Sequence, residues 1–155
     1  MKQKTTPREF GLKMLARREH SVSEFREKLF KKFKDENITE EVDKIVAEFL
    51  EKNWISDERF CEVFIRDQVL KKSGPQKILQ KLRLKGVDKY LARKILDDNF
   101  EVEEFYKIAQ RLADKKKVEI LRKKSGISDF ELRGRVTNFL VGRGFGFDVI
   151  KRVLA

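Results

Sequence analysis

The chain has 155 residues and a net charge of +11 at neutral pH, with 41% of its residues charged and 40% hydrophobic. That balance excludes a membrane-embedded protein, and 13 phenylalanines exclude a typical disordered chain, which is poor in large apolar groups. The length suits one domain or a few small ones, and so positive a field attracts an acidic partner, nucleic acid above all.

Helix starts are written clearly along the chain. Thr6-Pro7-Arg8-Glu9 reads as a capping box opening a helix over 7–18, and Ser21-Val22-Ser23-Glu24 as one opening 22–33. Thr39 before two glutamates predicts 40–51, Ser56 before Asp57 and Glu58 predicts 57–72, and Ser73-Gly74-Pro75 opens 75–85. Apolar spacing places helices over 88–97 and 102–124; Ser128 with Glu131 caps 129–142, and a short helix follows over 147–154. No sustained period-2 segment competes, so the expected class is all-α.

The third helix of each triplet carries a repeat. Ile38, Val42 and Val46 map onto Val87, Leu91 and Ile95, and then onto Phe145, Val149 and Val153, all apolar at helical spacing. Glycine-bearing turns, LRLKGV at 82–87 and LVGRGF at 140–145, precede the last two. The expected organisation is a flexible tail at 1–6 and three-helix repeats at 7–53, 54–98 and 99–155. Units of this size hold thin cores, so they are expected to stack as an elongated, curved array.

Charge is unevenly spread. Between Arg66 and Lys94 ten basic residues face only Asp67 and Asp88. Lys77, Lys81 and Lys85 stand at i, i+4 and i+8 and stack on one helical ridge, while Ile78, Leu79 and Leu82 point elsewhere. The candidate polyanion-facing residues are Arg66, Lys71, Lys72, Lys77, Lys81, Arg83, Lys85 and Arg93, with Arg17, Arg18, Lys115, Lys116 and Lys117 as additions.

Signals of catalysis are sparse. His20 is the sole histidine and Cys61 the sole cysteine, so the usual zinc ligand spacings and an intrachain disulfide are both excluded. His20 reads as a surface or partly packed residue before the Ser21 cap, and Cys61 as a small apolar one. Asp97-Asp98 and Glu103-Glu104 read as solvated charge, because sequence neighbours diverge on a helix. GRGFGF at 142–147 lacks both the spacing of a phosphate-cradling loop and a preceding strand, so its glycines are expected to end one helix and turn into the next. Trp54 and Ile55 read as apolar anchors before the Ser56 cap. No catalytic residue, metal or cofactor is expected. MKQKTTPREF has no hydrophobic signal region, and the expected home is a reducing cytoplasm.

Four stretches in order, LARREHSVSEFREKL at 15–29, NWISDERF at 53–60, GPQKILQKLRLKGV at 74–87 and RGFGFDVIKRVL at 143–154, are similar to the RecX family. The chain departs from that pattern at His20, where tyrosine is common, at Trp54 and Ser56, which replace the more usual tyrosine and aspartate, and at Lys81, where an acid is frequent. The resemblance implies tandem three-helix repeats, no enzymatic activity, and regulation of the RecA recombinase. It implies lodging in the helical groove of the RecA–single-stranded DNA filament and restraint of ATP hydrolysis, strand exchange and repressor cleavage. The implied partners are the RecA filament and single-stranded DNA, directly or through RecA, with no membrane and a monomeric chain. The alternative that the residues leave open is a direct DNA-binding regulator, since three-helix units can place a helix in a groove.

Overall fold

A computed structural model describes residues 4–155, and the first three residues of the expected tail lie outside the described residues. Every regular element among them is a helix: α1 Pro7–Arg17, α2 Val22–Lys32, α3 Ile38–Glu51, α4 Asp57–Leu70, α5 Pro75–Leu84, α6 Lys89–Asn99, α7 Val102–Lys123, α8 Asp129–Gly142 and α9 Phe147–Leu154. The all-α class is thus observed, with helix bounds within two residues of those expected.

The caps show where local chemistry decided and where it was overruled. Thr6 and Glu9 form the complete reciprocal box. Ser21 and Ser128 each accept from the N–H three residues on, but the Glu24 and Glu131 carboxylates turn to cations instead of closing the box. Ser56 accepts from the Arg59 N–H at 3.2 Å. Thr39 is not a cap: α3 begins one residue before it, after Asn37, which makes no side-chain capping bond. Nor does Ser73 cap α5; its hydroxyl turns to Gln68, and the Gln76 N–H of the first turn donates to the Gly144 carbonyl instead.

Four helices end by one device. At α3, α4, α5 and α8 the two residues after the cap donate back into the last turn, as in Trp54 to Phe49 and Asn53 to Leu50. The residue in the left-handed conformation is Asn53, Lys72, Gly86 or Gly144 respectively. These turns explain why α4 and α5 stop at Leu70 and Leu84, short of the expected 72 and 85. Lys72 is the costly member, because a Cβ in this conformation strains against the following carbonyl. Lys72→Gly is expected to stabilise the fold by about 0.5–1 kcal/mol, after Gly's own entropic cost is set against the relieved strain. Urea denaturation checks it, and no change or a loss of stability would contradict it.

The chain packs as two compact units. The first comprises the chain up to Phe64 together with Leu82–Ala92. Its core gathers Phe25, Leu29, Val42 and Phe49, all fully buried, with the Phe25 and Phe49 rings 5.5 Å apart. The second comprises Ile65–Lys81 and Arg93–Ala155, so α4, α5 and α6 each contribute to both. In it, Phe105, Ala109, Ala113 and Ile120 form the buried stripe of α7, on which α8 and α9 pack through Val136, Leu140, Val149 and Val153. Of the nine repeat positions, eight are buried and Leu91 is half-buried, as a stripe of core positions requires.

In the second unit the start of α5 meets the α8–α9 turn backbone to backbone. The Gly74 N–H donates to the Arg143 carbonyl at 2.7 Å and the Gln76 N–H to the Gly144 carbonyl at 3.0 Å. Arg143 donates in turn to the carbonyls of Lys71 and Lys72. Cβ atoms built on Gly74 and Gly144 would lie 2.4 Å from the Gly144 carbonyl oxygen and 2.3 Å from the Lys77 Cβ. Only glycines permit this approach.

Candidate interaction surface

In the first unit, α1 ends and α2 begins around a buried carboxylate. The Glu24 side chain is 9% exposed and lies 2.8 Å from an Arg18 nitrogen, 3.1 Å from Lys85 Nζ and 3.6 Å from Lys28 Nζ. Burial pushes its carboxyl up, but the hydrogen bonds and charges of Arg18 and Lys85 outweigh that and hold it down at about 2. Arg18 also donates to the Glu19 carbonyl. Two residues of the expected surface, Arg18 and Lys85, are thereby tied to one internal acid.

His20 belongs to the same cluster and is buried, not a surface residue. Its Nδ1 lies 3.0 Å from the Arg18 carbonyl and its Nε2 3.3 Å from Lys28 Nζ. The ammonium can only donate, so Nε2 accepts, Nδ1 carries the proton and the ring is neutral. Burial lowers its pKa and the neighbouring Arg18 and Lys28 charges act in the same direction, outweighing the Arg18 carbonyl and Glu24. A neutral, doubly bonded imidazole is a packing element. Next to it, Phe10, Lys13, Met14 and Arg17 help to line an open depression of about 570 Å³, where Arg17 is exposed and makes no ion pair or hydrogen bond among the described residues.

The lysine ridge of α5 is likewise drawn inward. Lys77 donates to the Gly142 carbonyl at 3.4 Å, and Lys81 to the side-chain oxygen of buried Gln68 at 2.7 Å. Lys85 reaches Glu24, so none of the three ammonium groups is without an internal acceptor. Of the other candidates, Lys71 pairs with Asp67 and Arg93 with Asp97, both one turn away on exposed helix faces. Such pairs contribute little, and a stronger anion can displace them. Arg66, Lys72 and Arg83 are exposed, and their side chains make no ion pair or hydrogen bond among the described residues.

Lys115, Lys116 and Lys117 diverge, because consecutive helical residues point about 100° apart. Lys116 pairs with Glu119 at 3.1 Å and lies over the Phe139 ring at 5.2 Å, Lys117 is half-buried, and Lys115 is exposed. Lys115 instead lines up with residues that the run of three lysines conceals. Lys107, Arg111, Lys115 and Arg122, together with exposed Val118, follow the line of α7 opposite its buried stripe. All four cations are exposed, and none makes a salt bridge or hydrogen bond among the described residues. Glu104 and Asp114 flank the line, but the first closes the α7 capping box and the second accepts from Gln110. The spacing of this ridge was readable at i, i+4, i+8 and i+15, on a helix of 22 residues.

Features that could suggest catalysis are otherwise engaged. Asp97 and Asp98 pair with Arg93 and Lys94, and Glu103 takes both guanidinium nitrogens of Arg152, at 2.7 and 3.1 Å. Cys61 is buried and its thiol is pushed up to about 12, chiefly by burial, so it stays protonated. No group of His, Cys, Asp or Glu among the described residues could hold a metal ion, and no helix is long and apolar enough to cross a membrane.

Helical packing and a net charge of +11 define a basic, all-α class of protein. Comparison with known proteins narrows it. Residues 56–96 match the model of the second three-helix domain of RecX, and residues 103–154 that of the third. The chain is 31% identical over 134 residues to the regulatory protein RecX of Actinobacillus pleuropneumoniae serotype 5b, covering 86% of this chain and 81% of that one. It is 32% identical over 153 residues to that of Acinetobacter baylyi, covering 97% and 87%. With the RecX of Streptococcus uberis, 33% identity extends over 72% of this chain and 41% of the longer relative. The crystal structure of RecX from Lactobacillus salivarius superposes with a TM-score of 0.81 at 20% identity, covering 96% of this chain and 92% of that one. The chain belongs to the RecX family of regulatory proteins.

Proposed function

We propose that this protein regulates the RecA recombinase, mainly as an inhibitor, by binding the RecA–single-stranded DNA filament and restraining ATP hydrolysis, strand exchange and repressor cleavage. Family membership supports the regulatory class, and the three-helix repeats 7–53, 54–98 and 99–155 supply successive contact modules. The observation that carries the reading to a surface is the outward ridge of α7. Its four cations, none in a salt bridge or hydrogen bond among the described residues, extend over about 22 Å at the ordinary helical rise. Charges not tied up in a salt bridge or hydrogen bond are available to a polyanionic filament, and long-range attraction speeds encounter and sets register. The α5 ridge is a poorer choice, because its ammonium groups already have acceptors.

The test follows ATP hydrolysis by preformed RecA filaments on single-stranded DNA while the protein is titrated, beside a DNA-only binding control at the same salt. Inhibition is expected at concentrations too low to coat free DNA. Reversing Lys107, Arg111, Lys115 and Arg122 to glutamate is expected to weaken it about ten-fold or more with unchanged circular dichroism. Reversing Lys81 and Lys85 is expected to lower the melting temperature as well, since each meets a buried acceptor. Unchanged ATP turnover, despite tight and sequence-selective duplex binding by the protein alone, would favour the direct DNA-binding regulator.

A further inference from the structure

α8 and α9 bound a groove of about 420 Å³ in the second unit, and its composition is unlike that of the charged surface elsewhere. Phe130 and Phe147 stand on it 89% and 65% exposed, Phe130 being among the most exposed large apolar side chains. Ile150 is buried beneath, and Arg133 and Lys151 are the charged residues of the lining, which includes no carboxylate. Leaving two phenyl rings in water forgoes their burial energy, and exposed aromatics beside an apolar floor mark interaction sites.

Gly134 adds an independent observation. It lines the groove from the interior of α8, where glycine is a poorer helix former than alanine. A Cβ built there meets nothing within 4 Å. No neighbour within the fold therefore requires glycine, and what its missing side chain provides is room in the groove.

We infer that the α8–α9 groove docks an acidic amphipathic segment of a protein partner, seating an apolar side chain over Gly134 between Phe130 and Phe147, with carboxylates meeting Arg133 and Lys151. Charge selects the occupant. Lys151 makes no ion pair among the described residues, and Arg133 is paired only with exposed Asp129 at 3.6 Å while donating to the Leu154 carbonyl. Aspartate so exposed is readily exchanged for an incoming carboxylate. A second copy of this chain would present the same two cations and a net charge of +11, so self-association through the groove is disfavoured. A helix laid in a groove through aromatic anchors and a charged rim is a common mode of peptide recognition. This surface does not include the α7 ridge, and the inference does not require the partner to be RecA.

The probe is a fluorescein-labelled amphipathic peptide with leucine and phenylalanine on one helical face and glutamate on the other, compared with the same peptide carrying lysine for glutamate. The acidic peptide is expected to bind the full chain and to shift the amide resonances of Gly134 and Thr137, and the lysine peptide to do neither. Phe130→Ser, Phe147→Ser and Gly134→Leu are each expected to weaken binding about ten-fold or more. The two phenylalanine variants should melt near the parent, because their rings are already exposed. Gly134→Ala is expected to raise the melting temperature yet weaken the peptide, a combination that a purely structural role would not produce. The inference is overturned if the acidic peptide does not bind, if it binds the groove variants as tightly as the parent, or if both peptides bind alike. It is also overturned if a thymidine oligonucleotide, and not the peptide, shifts those amides, which would make the aromatics a base-stacking platform.

Discussion

Gly144→Ala is expected to cost about 2–5 kcal/mol, summing the strain of a side chain at positive φ with the cost of overpacking a closed contact. Gly144 has φ of 93°, and its added methyl would lie 2.3 Å from the Lys77 Cβ and 2.6 Å from the Lys77 backbone nitrogen. The atoms in the way are the backbone and the Cβ of α5, which cannot swing aside as the far end of a lysine would. To make room, α5 must withdraw, and the hydrogen bonds that Gly74 and Gln76 donate to the Arg143 and Gly144 carbonyls weaken together. Gly142, two residues earlier, is the control: nothing lies within 4 Å of its built Cβ, and Gly142→Ala should not lower stability. Guanidinium denaturation of the two variants provides the measurement, and equal midpoints would show that the turn does not need its glycine.

Glu24→Gln is expected to destabilise the fold by about 3 kcal/mol at pH 7, and the deficit is expected to close in acid. The substitution keeps size and one acceptor but leaves Arg18, Lys28 and Lys85 around an uncharged amide, and removing one partner of a buried pair is costly. The carboxyl titrates at about 2 in the fold against 4.5 as its ordinary value. A depressed carboxyl pKa contributes stability that is fully present above 4.5 and is lost as the pH falls from there through 2, which by linkage amounts to roughly 3 kcal/mol. The wild-type and Gln denaturation free energies should therefore be furthest apart from pH 5 upward and converge near pH 2. A difference that does not vary with pH would mean that the side chain stabilises by packing alone.

These two sites also show where sequence reading reaches its limit. Ser21-Val22-Ser23-Glu24 was legible as a helix start, since an N-cap hydroxyl and the N–H three residues later are fixed by local geometry. That Glu24 would abandon the box for Lys85, sixty-one residues on, depends on which side of α2 faces the turn after α5. The Ser21 hydroxyl makes the same point, accepting from the Glu24 N–H as expected while donating to the Lys85 carbonyl at 2.6 Å. GRGFGF was legible as a helix-ending turn, but its close fit with Gly74 was not, because nothing in either stretch names the other.

The all-α class, most helix starts and the apolar positions that repeat from Ile38 to Val153 were legible in the chain, whereas the start of α3, the cap of α5 and the ends of α4 and α5 were not. What was legible rests on interactions within a few residues: caps, left-handed turns and the 3.6-residue period that aligns core side chains. Packing between distant segments settled which cations acquire an internal acceptor. Lys77, Lys81 and Lys85 share one helical ridge, yet each is consumed by an acceptor brought from elsewhere in the chain, while Lys107, Arg111, Lys115 and Arg122 make no salt bridge or hydrogen bond among the described residues. A charge pattern along one helix specifies direction alone, whereas availability depends on what packing places opposite each ammonium or guanidinium group.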